Sequence, residues 1–264
     1  MTPSAVTKPS KAWVPGFRGL LSVTSIVVLV VALIPPMWGW AQRYEFVQAI
    51  QFCLLAFCAP ALLVTGAPWN GFRHRGETIA LDEQLAWFRR WNATRVREHA
   101  QLRTLVAAGA LVGISIFWRV APVVNALVHH GALTLVEAVT LFVPSVLLMV
   151  ELVESPPLTP GISRPYRIGV TAVVMWTTWV VAYLAGMSGT SWYSAFHHVA
   201  GSGISASADQ QFSAGFVWFL SAAVFVPIVF WNLMHWLQSE EDPNEEIIKL
   251  FRQEREHGFF GSAD

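Results

Sequence analysis

Apolar runs long enough to cross a bilayer recur along the chain, separated by short polar stretches. Runs of about eighteen or more residues with few charges are membrane-spanning helices. Six are read, at 19–38, 46–66, 102–118, 132–153, 166–188 and 211–237. They predict an all-α integral membrane protein, a polytopic bundle over 19–238. A polar tail, 1–18, precedes it and a charged tail, 239–264, follows it. The one long connection, 67–101, leads through "ALDEQLAWFRRWNATRVREHAQLRTL". Leu85, Trp87, Phe88 and Trp91 there predict an amphipathic helix, either lying on lipid or capping the bundle.

Composition sharpens this reading. Of the 264 residues 54% are hydrophobic and 13% charged, and mean hydropathy is +0.48. That charge content is about half the usual soluble share. Lys8, Lys11 and Arg18 before the first apolar run resemble the start of a signal peptide. The run is nevertheless long enough to span, and no small-x-small cleavage site follows it, so it is read as an uncleaved span.

The net charge is zero, but its placement is lopsided. Six spans put both termini on one side, together with the 67–101 and 154–165 connections. Fifteen of the seventeen basic residues fall on that side or at its edge, and Arg43 and Arg119 on the other. The positive-inside rule makes the basic side cytoplasmic, so both termini are expected there, in a bacterial inner membrane. Trp38, Trp40, Trp118 and Trp192 then mark the outer boundary, and Trp69, Trp231 and Trp236 the inner one.

The outer segments, 39–45, 119–131 and 189–210, gather the candidate chemistry. His129, His130, His197 and His198 form two adjacent pairs, with Asp209 nearby. Neutral imidazole ligates copper and zinc, so these residues are candidate metal ligands. Neighbours on a helix point about 100° apart, and an interfacial histidine at headgroup level is the plain alternative. Cys53, Cys58 and Met187 are possible soft partners. The two cysteines point about 140° apart on a regular helix and are not expected to pair. Gln48, Gln51 and Glu137 are polar residues within spans, where polarity marks a bundle interior or a cavity. The chain has no phosphate loop, hydrolase elbow, metalloprotease motif or haem-attachment motif, so a non-catalytic protein is expected, with no nucleic-acid partner.

Two motifs carry a family resemblance. "DQQFSAGFVW", opening the last span with Asp209, Gln210 and Gln211, resembles the D-Q-Q motif of the CtaG-type cytochrome c oxidase assembly proteins. "QFCLLAFCAPALLVTGAPW", with Pro60, Gly66 and Pro68, resembles that family's proline- and glycine-bearing second signature. "FWRVAP" and "SWYSAF" resemble its outer segments, and the likeness spans roughly 46–237. The resemblance implies a membrane assembly factor that helps deliver copper to a haem–copper oxidase, with the subunits of that complex and the lipid bilayer as partners.

It also implies histidines at three positions where this chain has Gln48, Arg119, and Glu137 with Ala138. An arginine repels a metal cation. A permanent, non-catalytic subunit of a respiratory or photosynthetic electron-transfer complex is therefore the alternative. A transporter has less support, since no inverted repeat is visible. Asp209 is expected to cap its own helix, and the two glutamines to bridge to neighbouring helices.

Overall fold

The computed structural model describes residues 15–69, 99–156, 158–201 and 203–240. The amphipathic reading of the long connection and the two charged tails fall almost entirely outside these residues. Among the described residues the molecule is helical, and five helices are long and apolar enough to cross a membrane, or six if one bent pair is a single span.

That bent pair is the first expected span. α1 (Pro15–Leu33) and α2 (Pro35–Ala41) meet at an angle of 54°. Ile34 is extended, at φ −75° and ψ 155°, because a residue before proline is driven from the helical region. Pro35 and Pro36 lack the N–H groups that would have continued α1.

The second span is central. It comprises α3 (Glu45–Cys53), a π turn at Leu54–Cys58, and α4 (Ala59–Gly66). In its most apolar stretch 67% of the residues are buried, against 28% in the third, fifth and sixth spans. The wide turn stands just before Pro60, whose ring cannot donate to the preceding turn, so the ladder loosens there. Gly66 lets α1 come close. A Cβ at Gly66 would strike the backbone N and side chain of Ser22. The Ser25 hydroxyl, one turn along α1, donates to the Ala59 carbonyl at 2.7 Å. Ala67 ends α4 in the left-handed region at φ 48°, and Pro68 follows. The Trp69 indole then donates to the Pro156 carbonyl at 3.0 Å, and the Ser155 hydroxyl donates to the Val64 carbonyl.

The remaining spans are α5 (Ala100–Phe117), α7 (Leu133–Leu152), α8 (Arg164–Met187) and α9 (Ala206–Glu240), with a short α6 (Ala121–His129) between α5 and α7. Their limits lie within a few residues of those read from hydropathy. α9 packs along α8 on one side and α3 on the other, while α7 packs against α4 and α5. Phe52, Phe57 and Phe225 meet edge-on at the centre, with centroid spacings of 5.9 and 5.3 Å. Leu20, Val139, Trp176 and Phe219 point outward and are largely exposed, as lipid-facing side chains are.

Candidate functional site

Polar side chains collect at the two ends of the bundle. At the end bearing Glu151, Arg103 donates to Glu151 at 2.7 Å and Arg164 to Glu154 at 2.9 Å. Arg167 bonds the Ile162 carbonyl at 3.0 Å, and the Asn232 amide donates to the Leu152 and Ile228 carbonyls. Charged groups there are matched locally, and the arrangement clamps helix ends.

The opposite end is built differently. Glu45, Gln48 and Phe52 recur at three- and four-residue spacing and so share a face of α3. Arg119 sits in the turn after α5 and Glu137 on α7. The three positions that the resemblance marked for histidine meet here. The Arg119 guanidinium donates through Nη1 to Gln48 Oε1 at 3.0 Å, and Gln48 Nε2 donates to Glu137 Oε1 at 3.1 Å. The amide is oriented by its partners, with oxygen to the cation and nitrogen to the carboxylate. Glu137 is fully buried, and Arg119 lies over the Phe52 ring at 4.6 Å. An arginine, an amide and a carboxyl in series form a charge-matched chain. The guanidinium at its head places a positive charge where the resemblance implies a histidine.

The D-Q-Q motif supports this chain. Asp209 lies in the first turn of α9, yet it does not cap its own helix. Its two oxygens accept the N–H groups of Glu45 at 2.8 Å and Phe46 at 2.9 Å, so it caps α3. The expected self-cap is supplied by Ser205, whose hydroxyl accepts the Ala208 N–H at 3.1 Å. With both oxygens engaged by α3, Asp209 acts as a structural clamp between α9 and α3. Gln210 is fully buried and bridges as expected. It accepts the Trp192 N–H at 2.7 Å and donates to the Ala185 carbonyl at 2.8 Å. Gln211 is exposed and lines an apolar groove between α8 and α9. Gln51 donates to the Ala32 carbonyl at 2.6 Å, beside the bend in the first span.

Tyr193 closes the cluster from the segment before α9. Its hydroxyl donates to the Arg119 carbonyl at 3.0 Å, and burial pushes its phenol above the ordinary value. It packs with Val124 and Phe196, joining α6 to the short 3-10 helix Ser194–Gly201, and Asn125 Oδ1 accepts the Ala195 N–H at 3.0 Å.

The expected histidines lie on these two packed elements. His129 ends α6 with its side chain exposed, His130 follows it, also exposed, and His197 is exposed on the 3-10 helix. The His198 side chain lies outside the described residues. Among the described residues no three His, Cys, Asp or Glu side chains stand together as a metal cluster. Cys53 is buried, Cys58 partly so, and neither is paired in a disulfide. Met187 points outward and is exposed.

Glu45 was not singled out from sequence, and Arg119 was marked there only as standing where the family resemblance implies a histidine. Two signals pointed to them: the spacing of Glu45, Gln48 and Phe52, and the scarcity of basic residues on the side holding Arg119.

Apolar spans around a buried polar cluster, pinned by helix caps at one end, define a multi-pass helical membrane protein. The chain belongs to the cytochrome c oxidase caa3 assembly factor family, which it matches over residues 5–239. No curated protein and no solved structure matches it.

Proposed function

We propose that the protein assists the assembly of a haem–copper oxidase by handling Cu(I) at its outer face, at His129, His130, His197 and His198. The observation that carries this reading is the packing of α6 on the 3-10 helix. It places exposed histidines on two adjoining elements of a chain whose family assembles cytochrome c oxidase. Imidazole suits copper, and exposed ligands release metal readily to a partner. The buried cluster is not part of this route, because Arg119 occupies it. The positive-inside distribution supports both termini on the cytoplasmic side of a bacterial inner membrane, with the Asp209 end facing outward. The role is one of delivery and docking, without catalysis.

A second reading follows from the Arg119–Gln48–Glu137 chain. It fills the buried cluster with fixed protein contacts, which suits a permanent subunit of an electron-transfer complex.

Metal content and co-purification separate the two. The purified chain is offered Cu(I) under reducing conditions in mild detergent. Copper retained by the wild type, and lost when the His129/His130 or His197/His198 pair becomes alanine, supports delivery. No copper, together with a fixed stoichiometry in a larger complex, establishes the subunit reading instead.

A further inference from the structure

A cavity at the Asp209 end is bounded by α3, α5, α8 and α9, and it has no assigned occupant. Three of the residues lining it carry a buried polar atom without a hydrogen-bond partner: Glu45 Oε2, Arg119 Nη2 and Ser115 Oγ. Glu45 is 99% buried, at 1% exposure. Buried polar atoms in native proteins are almost always satisfied, so three orphans around one space point to a missing partner. Ser115 is informative. The hydroxyls of Thr177 and Thr178, across the same cavity, donate to the carbonyls of Val173 and Val174 in their own helix. Ser115 makes no such bond and its hydroxyl remains available.

Charge narrows the partner. Arg119 would repel a cation, and the Glu45 and Glu137 carboxyls flanking it would repel an anion. A neutral group with one O–H donor and one oxygen acceptor answers all three atoms. It can donate to Glu45 and accept from both Arg119 and Ser115.

Shape narrows it further. The cavity has a volume of about 510 Å³ when its open mouth is counted. Its lining includes the apolar Val112, Val181 and Ala185, and Ile116, which is also exposed on the lipid-facing flank. An apolar body fits there, as in most ligand pockets with a few convergent polar groups.

We propose that this cavity binds the hydroxyl head of a neutral, lipid-soluble molecule, the chemistry shared by a hydroquinone and a long-chain alcohol. The occupant enters from the bilayer between α5 and α8, with its hydroxyl among Glu45, Arg119 and Ser115 and its apolar part in the mouth. The site is independent of copper handling at the exposed histidines.

The test uses the full chain in phosphatidylcholine nanodiscs, without oxidase and without copper. Radiolabelled decyl hydroquinone, kept reduced under anaerobic conditions, and radiolabelled 1-dodecanol are titrated separately. Saturable binding of either supports the proposal, and which one saturates identifies the source of the hydroxyl. The probe with every hydroxyl methylated (the dimethyl ether of the hydroquinone, the methyl ether of the alcohol) lacks the donor and is expected to bind about tenfold more weakly or worse, one hydrogen bond's worth. Ser115→Leu and, separately, Ala185→Leu fill the space and are expected to weaken binding by at least that factor, with thermal melting showing that each variant is folded. Glu45 and Arg119 are left intact so that the cluster stays formed. Failure of both probes to saturate overturns the proposal. So does equal binding of the ether, equal binding by the folded variants, or a retained phospholipid that excludes both probes.

Discussion

Asp209 on α9 accepts the backbone N–H of Glu45 on α3 at 2.8 Å, across 164 residues of sequence. The carboxylate meets the positive end of a helix dipole and satisfies two donors that would otherwise be stranded at a membrane boundary. It sets the height and rotation of α3 relative to α9, and therefore the place of Glu45 and Gln48.

Removing that clamp has a definite cost. Asp209→Ala is expected to destabilise the bundle by about 2 kcal/mol, from two charge-assisted bonds discounted for the modest values measured within membranes. Asp209→Asn keeps one acceptor and should lose roughly half as much. Thermal unfolding in detergent measures both, and equal melting of Asp209→Ala and wild type would show that α3 is held by other contacts.

The buried chain from Arg119 to Glu137 should behave as a unit. Arg119→Leu leaves the Glu137 carboxyl without its countercharge and is expected to cost about 3 kcal/mol. Adding Glu137→Leu removes the stranded group and should recover at least about 1 kcal/mol of it. A double-mutant cycle on chemical unfolding reads the coupling, and strict additivity would show that the two groups do not sense each other.

Gly66 is held by steric contact with α1, since a Cβ there meets the Ser22 backbone. Gly66→Ala is expected to cost about 1–3 kcal/mol through the forced separation of α1 and α4. Gly113 on α5 has nothing within 4 Å of a built Cβ, so Gly113→Ala should be neutral or stabilise by up to about 1 kcal/mol. Gly66→Ala should therefore lower the melting temperature, while Gly113→Ala leaves it unchanged or raises it.

The proposed orientation can be read by labelling. A single cysteine replacing the exposed His129 should react with a membrane-impermeant maleimide added outside intact cells. One replacing Arg164, at the start of α8 and the opposite end of the bundle, should react only after the membrane is opened. The reverse pattern would invert the topology.

The spans were legible in the sequence because length and apolarity are local properties. Hydropathy placed 46–66 where Glu45–Gly66 lies, and 132–153 where Leu133–Leu152 lies. The double proline at Pro35 and Pro36 and the polar opening of the last span were also visible without a structure. Inward and lipid-facing surfaces were not, because lipid and protein core are equally apolar and hydropathy cannot separate them. Trp118, read as a boundary residue, is 4% exposed and donates from its indole to Thr140 at 2.9 Å. Partner choice was equally hidden. Asp209 is as good a cap for its own helix as for another. The packing of α9 on α3 brought the Glu45 and Phe46 amides to it, while Ser205 took the local role. Gln48, Arg119 and Glu137 stand on three separate elements, and each alone is an isolated polar residue in an apolar chain. The sequence by itself determined where the long apolar helices lie and which polar residues they carry. Only the tertiary structure decided which of those residues meet, because a polar group sealed from water must find its partner wherever the helices bring one within reach.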